Sequence, residues 1–235
     1  MIVAIHQPDF MPWLGFFRKL ARADTWIVLD HVLNSTRDAA FWGRRVQLLV
    51  NGSPHWLSVP LEKTPSGGHG GIPISRMRIQ LTDQQVFDNR LQTVREAYAK
   101  SRYFLEYFYL VEDYFGSSEP SLVRRNMGFT SAVLSLLRLS PTVVYSSDMA
   151  SRGVGTDLLV SLIREVGGSE YVSGTGSAGY LNPASFKANG IALSFNHFEH
   201  PTYPQRLAKT FVPGLSIVDA LFSVGADQVS RWVRG

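Results

Sequence analysis

The sequence predicts an α/β fold: a mostly parallel, mixed sheet that begins with a Rossmann-like β-α-β unit and carries an inserted helical subdomain. The first thirty residues read as strand, polar loop, helix and strand, whereas residues 82–140 hold three amphipathic segments and no strand pattern. After residue 140, short apolar runs again alternate with helical stretches, which is typical of a parallel sheet. At 235 residues and 45% hydrophobic content, the chain is expected to form one domain over 1–235, with the helical block inside it.

The β-α-β start predicts where a ligand binds. One apolar run ends on His6 and Gln7, an amphipathic stretch follows at 16–22, and a second apolar run ends on Asp30. The carboxyl ends of parallel strands meet at one edge of a sheet, where α/β proteins bind ligands. We therefore expect these three polar side chains at that edge, with His6 and Asp30 facing one pocket and the helical block 82–140 covering one side of it.

The later elements are predicted from turn and capping signals. Asn51-Gly52 between two apolar runs indicates a hairpin, which makes a mixed sheet expected, and Gly167-Gly168 marks the end of a helix. Residues 64–73, rich in glycine and proline, are expected to form a loop. The predicted strands are 43–50, 55–60, 76–80, 142–145, 171–173 and 191–195, and the predicted helices are 83–101, 103–115, 121–139, 156–166, 182–189, 216–224 and 227–233.

Composition and charge exclude several classes of protein. No run of 18 apolar residues occurs, and the first apolar run breaks at His6 without a basic segment before it, so we expect neither a membrane span nor a secretory signal. The absence of cysteine excludes disulfides, thiolate metal sites and a cysteine nucleophile, and favours a cytoplasmic location. The net charge of +4 is spread along the chain, so we expect a small anionic substrate and no nucleic-acid partner.

Two histidines and one aspartate form the predicted catalytic set. His6 is suited to act as a general acid or base, or as a neutral donor to a phosphate or carboxylate, and its alternative is a structural role. His200 precedes a proline and so leaves its strand extended, which lets it point toward the His6 loop; alternatively it packs against Tyr203. Asp30 completes the set. His197 and His200 lack helical spacing, so no metal site is expected, and no cofactor is predicted.

The predicted binding residues offer charge, hydrogen bonds or an aromatic ring. Lys19 and one of two adjacent arginines could hold an anion, although solvated surface charge is the alternative. Residues 173–180 form a loop rich in glycine and hydroxyl groups that can contact an anion or serve only as a flexible connection. The full predicted set is Gln7, Trp13, Lys19, Arg44, Arg45, Ser173, Gly174, Thr175, Gly176, Tyr180, Tyr203 and Gln205.

Several short motifs, taken together and in order, resemble the WbqC-like protein family. The resemblance runs along the whole chain and implies a role in bacterial O-antigen, lipopolysaccharide or other surface-polysaccharide biosynthesis, or in natural-product biosynthesis. It brings no agreed catalytic residues. The segments that carry it are His6-Gln7-Pro8, Pro12-Trp13-Leu14-Gly15, Ala23-Asp24, Trp56-Leu57-Ser58-Val59-Pro60, Tyr171-Val172-Ser173-Gly174, Tyr180-Leu181, His200-Pro201-Thr202-Tyr203-Pro204-Gln205 and Phe211-Val212-Pro213-Gly214-Leu215-Ser216-Ile217-Val218-Asp219 with Gly225.

Two functional hypotheses follow. The first is a transferase that moves an acyl or aminoacyl group from an activated donor to an amine or hydroxyl of a small acceptor such as a nucleotide-linked amino sugar. Since the chain has no cysteine, direct transfer is simpler than a protein thioester, and His6 or His200 would deprotonate the acceptor. The second is a non-catalytic module that binds a sugar nucleotide or a partner protein.

Overall fold

A computed structural model describes residues 1–34, 41–63 and 71–235. Its strands are β1 (Ile2–His6), β2 (Thr25–Val28), β3 (Arg45–Val50), β4 (Ser53–Ser58), β5 (Thr142–Tyr145), β6 (Glu170–Gly174) and β7 (Ala192–Asn196). Five of them form one sheet in the order β5-β2-β1-β6-β7, and every neighbouring pair in it is parallel. The parallel sheet and its β-α-β start are confirmed.

Helices fill the connections between these strands. They are α1 (Leu14–Ala21), α2 (Gln84–Tyr98), α3 (Phe104–Tyr107), α4 (Tyr109–Gly116), α5 (Leu122–Leu136), α6 (Gly155–Glu165), α7 (Pro183–Ala188), α8 (Ile217–Val224) and α9 (Ala226–Arg234). The four helices α2 to α5 lie within 82–140, where the sequence predicts a helical block. Among the described residues, no helix has the length and apolar character needed to cross a membrane.

The hairpin forms as predicted but does not join the main sheet. Asn51 and Gly52 both take positive φ angles, 51° and 77°, which a tight hairpin turn requires, and β3 and β4 pair with each other as a separate two-stranded sheet. The expectation of a mixed sheet is therefore corrected. One reason the hairpin stays separate is that the edge of β3 facing away from β4 is occupied by a side chain. There the Leu49 N–H donates to the hydroxyl of Tyr98 on α2 at 2.8 Å, and not to another strand.

The strand predicted at 76–80 is absent. Residues Ile74–Arg76 form one turn of 3₁₀ helix, and the residues after them make only isolated bridges, such as Leu61 with Ile79. The Ile79 N–H donates to the carbonyl of Pro120 rather than to a strand partner, 2.7 Å away. Most of the predicted loop at 64–73 lies outside the described residues.

Both faces of the main sheet are covered by helices, so its strands are apolar on both sides. On one face, Ala4 and Trp26 pack with α1, the hairpin and the helical block. On the other face, Val3, Ile5 and Ile27 pack with α6 and α7. Because successive strand residues point to opposite faces, neighbouring residues of β1 pack into two different hydrophobic cores.

The strand order places a switch point beside β1. From β1 the chain proceeds to β2 and β5 on one side, and it later returns to build β6 and β7 on the other side. The connections that leave β1 and β6 therefore diverge, and a crevice opens outside their carboxyl ends. In open α/β sheets, ligands bind at this position.

Candidate functional site

A cavity of about 420 Å³ lies at the switch point, and we call it the switch-point cavity. Its polar residues come from the ends of three neighbouring strands and from α1, while aromatic side chains contribute much of the rest of its lining. Its lining includes His6, Lys19, Ser173, Gly174, Thr175, Gly176, Ser177 and Asn196, together with Trp13, Phe16, Trp42, Tyr171, Tyr180 and Phe198. No lining residue comes from the helical block 82–140, which had been expected to cover one side of the pocket.

A cluster of three titratable side chains lies at this cavity, in which Lys19 and Asp9 are buried and His6 is half-buried. The Lys19 Nζ is 3.0 Å from Nδ1 of His6 and 3.2 Å from the carbonyl oxygen of Ile5. On the other side of the imidazole, Nε2 is 3.4 Å from a carboxylate oxygen of Asp9. Lys19 and His6 line the cavity, whereas Asp9 lies behind the imidazole. Because a lysine ammonium only donates, Nδ1 accepts and the ring proton sits on Nε2, facing Asp9.

Burial shifts all three titrating groups toward neutral forms. It lowers the pKa of His6 well below its usual value, and the Lys19 charge lowers it further, so His6 is neutral. Burial raises the pKa of Asp9 to about 7, against the opposing effect of Lys19. Burial also lowers the pKa of Lys19 to about 8, while Asp9 acts in the opposite direction. Two groups that titrate near physiological pH therefore flank one imidazole.

In the predicted anion loop, the two serine hydroxyl groups are hydrogen-bonded within the protein. The Oγ atoms of Ser173 and Ser177 lie 2.6 Å apart, and the Ser177 hydroxyl donates to the carbonyl of Gly174 at 2.7 Å. The loop continues as one 3₁₀ turn over Thr175–Ser177. Open space surrounds a Cβ placed at Gly174, so this glycine is not needed for close packing within the protein. The loop thus lines the switch-point cavity, and its two serine hydroxyls are engaged within the protein.

Asn196 is a cavity residue that sequence reasoning missed. It ends β7 and is buried, and its Nδ2 donates to the carbonyl of Gly15 at 3.0 Å. Its Oδ1 has no hydrogen-bond partner among the described residues. The sequence could have indicated Asn196, because it ends a strand as His6 does and so lies at the same carboxyl edge of the sheet. Asp9 was missed too, although it follows His6 by three residues.

Trp13 and His200 form a stacked pair beside the cavity. The rings are 5.4 Å apart and 26° from parallel, and the Trp13 ring lies so close to Gly15 that a Cβ there would be 2.2 Å from it. His200 Nε2 accepts the N–H of Gly214 at 3.0 Å, and burial lowers the pKa of His200. Trp13 lines the cavity but His200 does not, so the expectation that His200 points toward the His6 loop and shares its cavity is wrong.

The two predicted arginines lie outside the cavity lining. The Arg45 guanidinium lies 3.5 Å from the ring centre of Trp56, which in turn contacts Trp42 at 5.4 Å. Trp42 itself lines the cavity and is 48% exposed. Arg44 and the half-buried Gln7 are also absent from the lining. An aromatic pair thus separates Arg45 from the site that it was predicted to face.

Asp30 lies at the predicted sheet edge but lines a different cavity. Its carboxylate accepts from the Ser146 hydroxyl at 3.1 Å, and from the N–H and hydroxyl of Ser147, each at 2.8 Å. These bonds turn it toward the end of β5, where it lines a cavity of about 350 Å³ with Arg124 and others. The expectation of one pocket for His6 and Asp30 is therefore wrong.

Tyr203 and Gln205 hold a buried carboxylate instead of lining the switch-point cavity. The Tyr203 hydroxyl donates to Asp219 at 2.7 Å, and the Gln205 amide donates to it at 3.1 Å. The Tyr98 hydroxyl donates to the other carboxylate oxygen at 2.8 Å. We call these four residues the Asp219 network. It joins α2, α8 and the segment 203–205, so its first role is structural.

Tyr203 and Gln205 also border a second, larger cavity of about 890 Å³ around Arg102 and Arg231. This open cavity lies away from the strand ends and holds no buried titratable cluster. Among the described residues, no group of three or more histidines, aspartates and glutamates is arranged to hold a metal ion.

Comparison with known proteins agrees with the sequence motifs. Rv1507c of Mycobacterium tuberculosis, an uncharacterized protein, is 26% identical over 226 residues, covering 96% of this chain and 94% of the relative. No solved structure gives a significant match. The model of the WbqC-like protein family matches residues 7–231, nearly the whole length. The chain therefore belongs to the WbqC-like protein family.

Proposed function

We propose that the chain is a transferase of bacterial surface-polysaccharide or natural-product biosynthesis. It moves an acyl or aminoacyl group from an activated donor to an amine or hydroxyl of a small anionic acceptor. The observation that carries this proposal is the His6–Lys19–Asp9 cluster at the switch-point cavity, with its buried lysine and aspartate. Perturbed titratable groups in a cleft are common at catalytic sites, although structural networks also produce them.

The chemistry of the cavity fits such a reaction. An amine or hydroxyl that attacks an acyl group must lose a proton, and a group that titrates near neutral pH accepts it most effectively. Lys19, when charged, attracts an anionic substrate. The volume of about 420 Å³ falls in the usual range for small-molecule sites. Trp42 and Tyr180 offer aromatic faces to a sugar or nucleobase ring, so a nucleotide-linked amino sugar suits the acceptor position.

A non-catalytic module that binds a sugar nucleotide or a partner protein is the second candidate. Tyr180 is 71% exposed and Trp42 is 48% exposed, and both lie at the cavity, which favours recognition of a ring or of a partner surface. A binding module would keep a ligand without changing it. The two candidates therefore differ in turnover, and both require binding.

The test is to incubate the protein with nucleotide-linked amino sugars and activated acyl donors, and to follow the acceptor by mass spectrometry. The proposal predicts that the acceptor gains the mass of the acyl group, and that Lys19→Met slows this gain by about 10²–10⁴-fold. Lys187→Met, at an exposed position, is the matched control and should keep it. Tight binding of an amino-sugar nucleotide without product from any donor would favour the binding module.

A further inference from the structure

We propose that Lys19, and not His6, takes the proton from the acceptor in the switch-point cavity. The inference rests on the proposed function for the identity of the reaction, and it names the residue that performs the proton transfer. The reactivity of the Lys19 amine can be measured without any substrate.

The contacts of Lys19 leave one of its positions open. The nitrogen of a lysine side chain has three positions besides its bond to carbon. In the charged form all three hold hydrogen atoms, and in the neutral form two hold hydrogen atoms and the third is a lone pair. Two positions are directed to the protein, toward the Ile5 carbonyl at 3.2 Å and Nδ1 of His6 at 3.0 Å. Lys19 also lines the cavity. The third position therefore serves as a donor or an acceptor for a ligand, depending on the charge of the amine.

His6 is the less suitable proton acceptor because both of its ring nitrogens are engaged within the protein. Nδ1 accepts from Lys19, and the proton on Nε2 faces Asp9 at 3.4 Å. In this arrangement the imidazole fixes the direction of the Lys19 amine. His6 and Asp9 are thus positioning residues, and Lys19 is the group that meets the ligand.

The proposed step balances in atoms and charge. The acceptor nitrogen or oxygen forms a bond to the acyl carbon, and the bond from that carbon to the leaving group breaks, with the electron pair going to the leaving group. The acceptor proton moves to the lone pair of neutral Lys19, which becomes an ammonium ion. That ion can then protonate the departing anion, which restores the neutral amine for the next cycle.

The electrostatics of the cluster support this role. The pKa of Lys19, about 8, makes the neutral amine roughly a hundredfold more abundant at pH 8 than in an ordinary lysine. The other polar residues of the cavity lining, including Asn196, carry no charge at neutral pH. The elements packed against α1 also carry titratable side chains. These are His6 on β1, Asp9 in the loop that follows it, Glu170 and Tyr171 on β6, and Asp227, Arg231 and Arg234 on α9, whereas β7 carries none. Of these, Asp9 is the charge that acts on Lys19.

The first test measures the amine directly. The protein is treated with acetic anhydride in trace amounts between pH 6 and 11, and acetylation of each lysine is read by peptide mass spectrometry. The chain has five lysines, and the four others, Lys63, Lys100, Lys187 and Lys209, are exposed and act as internal controls. Lys19 should reach half of its maximal reactivity near pH 8, about two pH units below the controls. A midpoint equal to the controls, or no acetylation at any pH, overturns the inference.

Asp9→Asn then tests whether the cluster acts as described. Because the Asp9 carboxylate raises the pKa of Lys19, its removal should shift the Lys19 midpoint to lower pH while the control lysines stay unchanged. An unchanged midpoint in a folded variant contradicts the coupling. This readout differs from turnover, so a reactive Lys19 without any acyl-transfer product would refute the proposed function and leave the reactive amine established.

With a substrate in hand, two variants distinguish lysine from histidine. In His6→Gln, the amide oxygen can still accept from Lys19 and the amide nitrogen can still donate to Asp9, so turnover should fall by less than about tenfold. Lys19→Met should lose about 10²–10⁴-fold, the usual contribution of a general base. The reverse order, with His6→Gln inactive and Lys19→Met active, would assign the proton transfer to His6.

Discussion

Removal of the Asp219 carboxylate should destabilise the protein strongly. Asp219 is 1% exposed, and it accepts from Tyr98, Tyr203 and Gln205. Asp219→Ala leaves three donors without their acceptor, and each such loss costs about 1–3 kcal/mol. Burial raises the pKa of Asp219, so the variant also recovers part of the free energy spent in burying the carboxylate. We therefore expect a net loss of about 3–6 kcal/mol.

The assay is thermal and denaturant unfolding of purified protein. For a chain of this size, about 2–4 °C of Tm accompanies each kcal/mol, so the Tm should fall by roughly 6–24 °C. Asp113→Ala, at an exposed position on α4, is the matched control and should change stability by less than about 0.5 kcal/mol. Tyr203→Phe should be costly in the native background and nearly neutral in Asp219→Ala, because the two share one hydrogen bond.

A small effect of Asp219→Ala, within about 0.5 kcal/mol, would refute the structural reading of this network. An equal loss of stability from Tyr203→Phe in the native protein and in Asp219→Ala would refute it too. If Tyr203→Phe instead kept full stability and lost ligand binding, Tyr203 would return to the binding set that the sequence predicts.

Three further predictions concern residues around the strand ends. Gly15→Ala should displace the Trp13 ring, since a Cβ would lie 2.2 Å from it, and should both shift tryptophan fluorescence and weaken ligand binding; an unchanged spectrum would contradict this geometry. His200→Phe should keep the ring beside Trp13 but reduce stability by about 1–3 kcal/mol through loss of the acceptor for the Gly214 N–H, with turnover kept, so loss of turnover in a well-folded variant would make His200 catalytic after all. Asp30→Asn should lower the Tm without changing ligand affinity, and a change in affinity with an unchanged Tm would place Asp30 in the binding site.

The sequence predicted the framework of this fold because strands and helix ends have local causes. The apolar runs before His6 and Asp30 became adjacent parallel strands, and Asn51-Gly52 became the hairpin turn. The placement of the hairpin was not local. It depends on the Tyr98 hydroxyl reaching the backbone of β3, a contact across 49 residues that no pattern within either segment reveals.

The candidate site was predicted in part for the same reason. His6 and the loop after β6 follow from the rule that strand ends meet at one edge, and Lys19 was expected as a positive charge. Sequence alone gave no means of seeing that both nitrogens of His6 are engaged, because that depends on the distances to Lys19 and Asp9. Tyr203, predicted as a ligand contact, belongs to the Asp219 network and not to the lining of the switch-point cavity, and sequence alone could not show this because a buried hydrogen-bond network and a binding surface use the same residue types.

Both proposals require the ligand to bind in the switch-point cavity, and a crystal structure of the protein with a nucleotide-linked amino sugar would show where it binds. We expect ligand density between the carboxyl ends of β1 and β6, with a polar ligand atom within hydrogen-bonding distance of the Lys19 amine. Density found instead only in the large open cavity near Arg102 and Arg231, with the strand ends empty, would contradict this expectation.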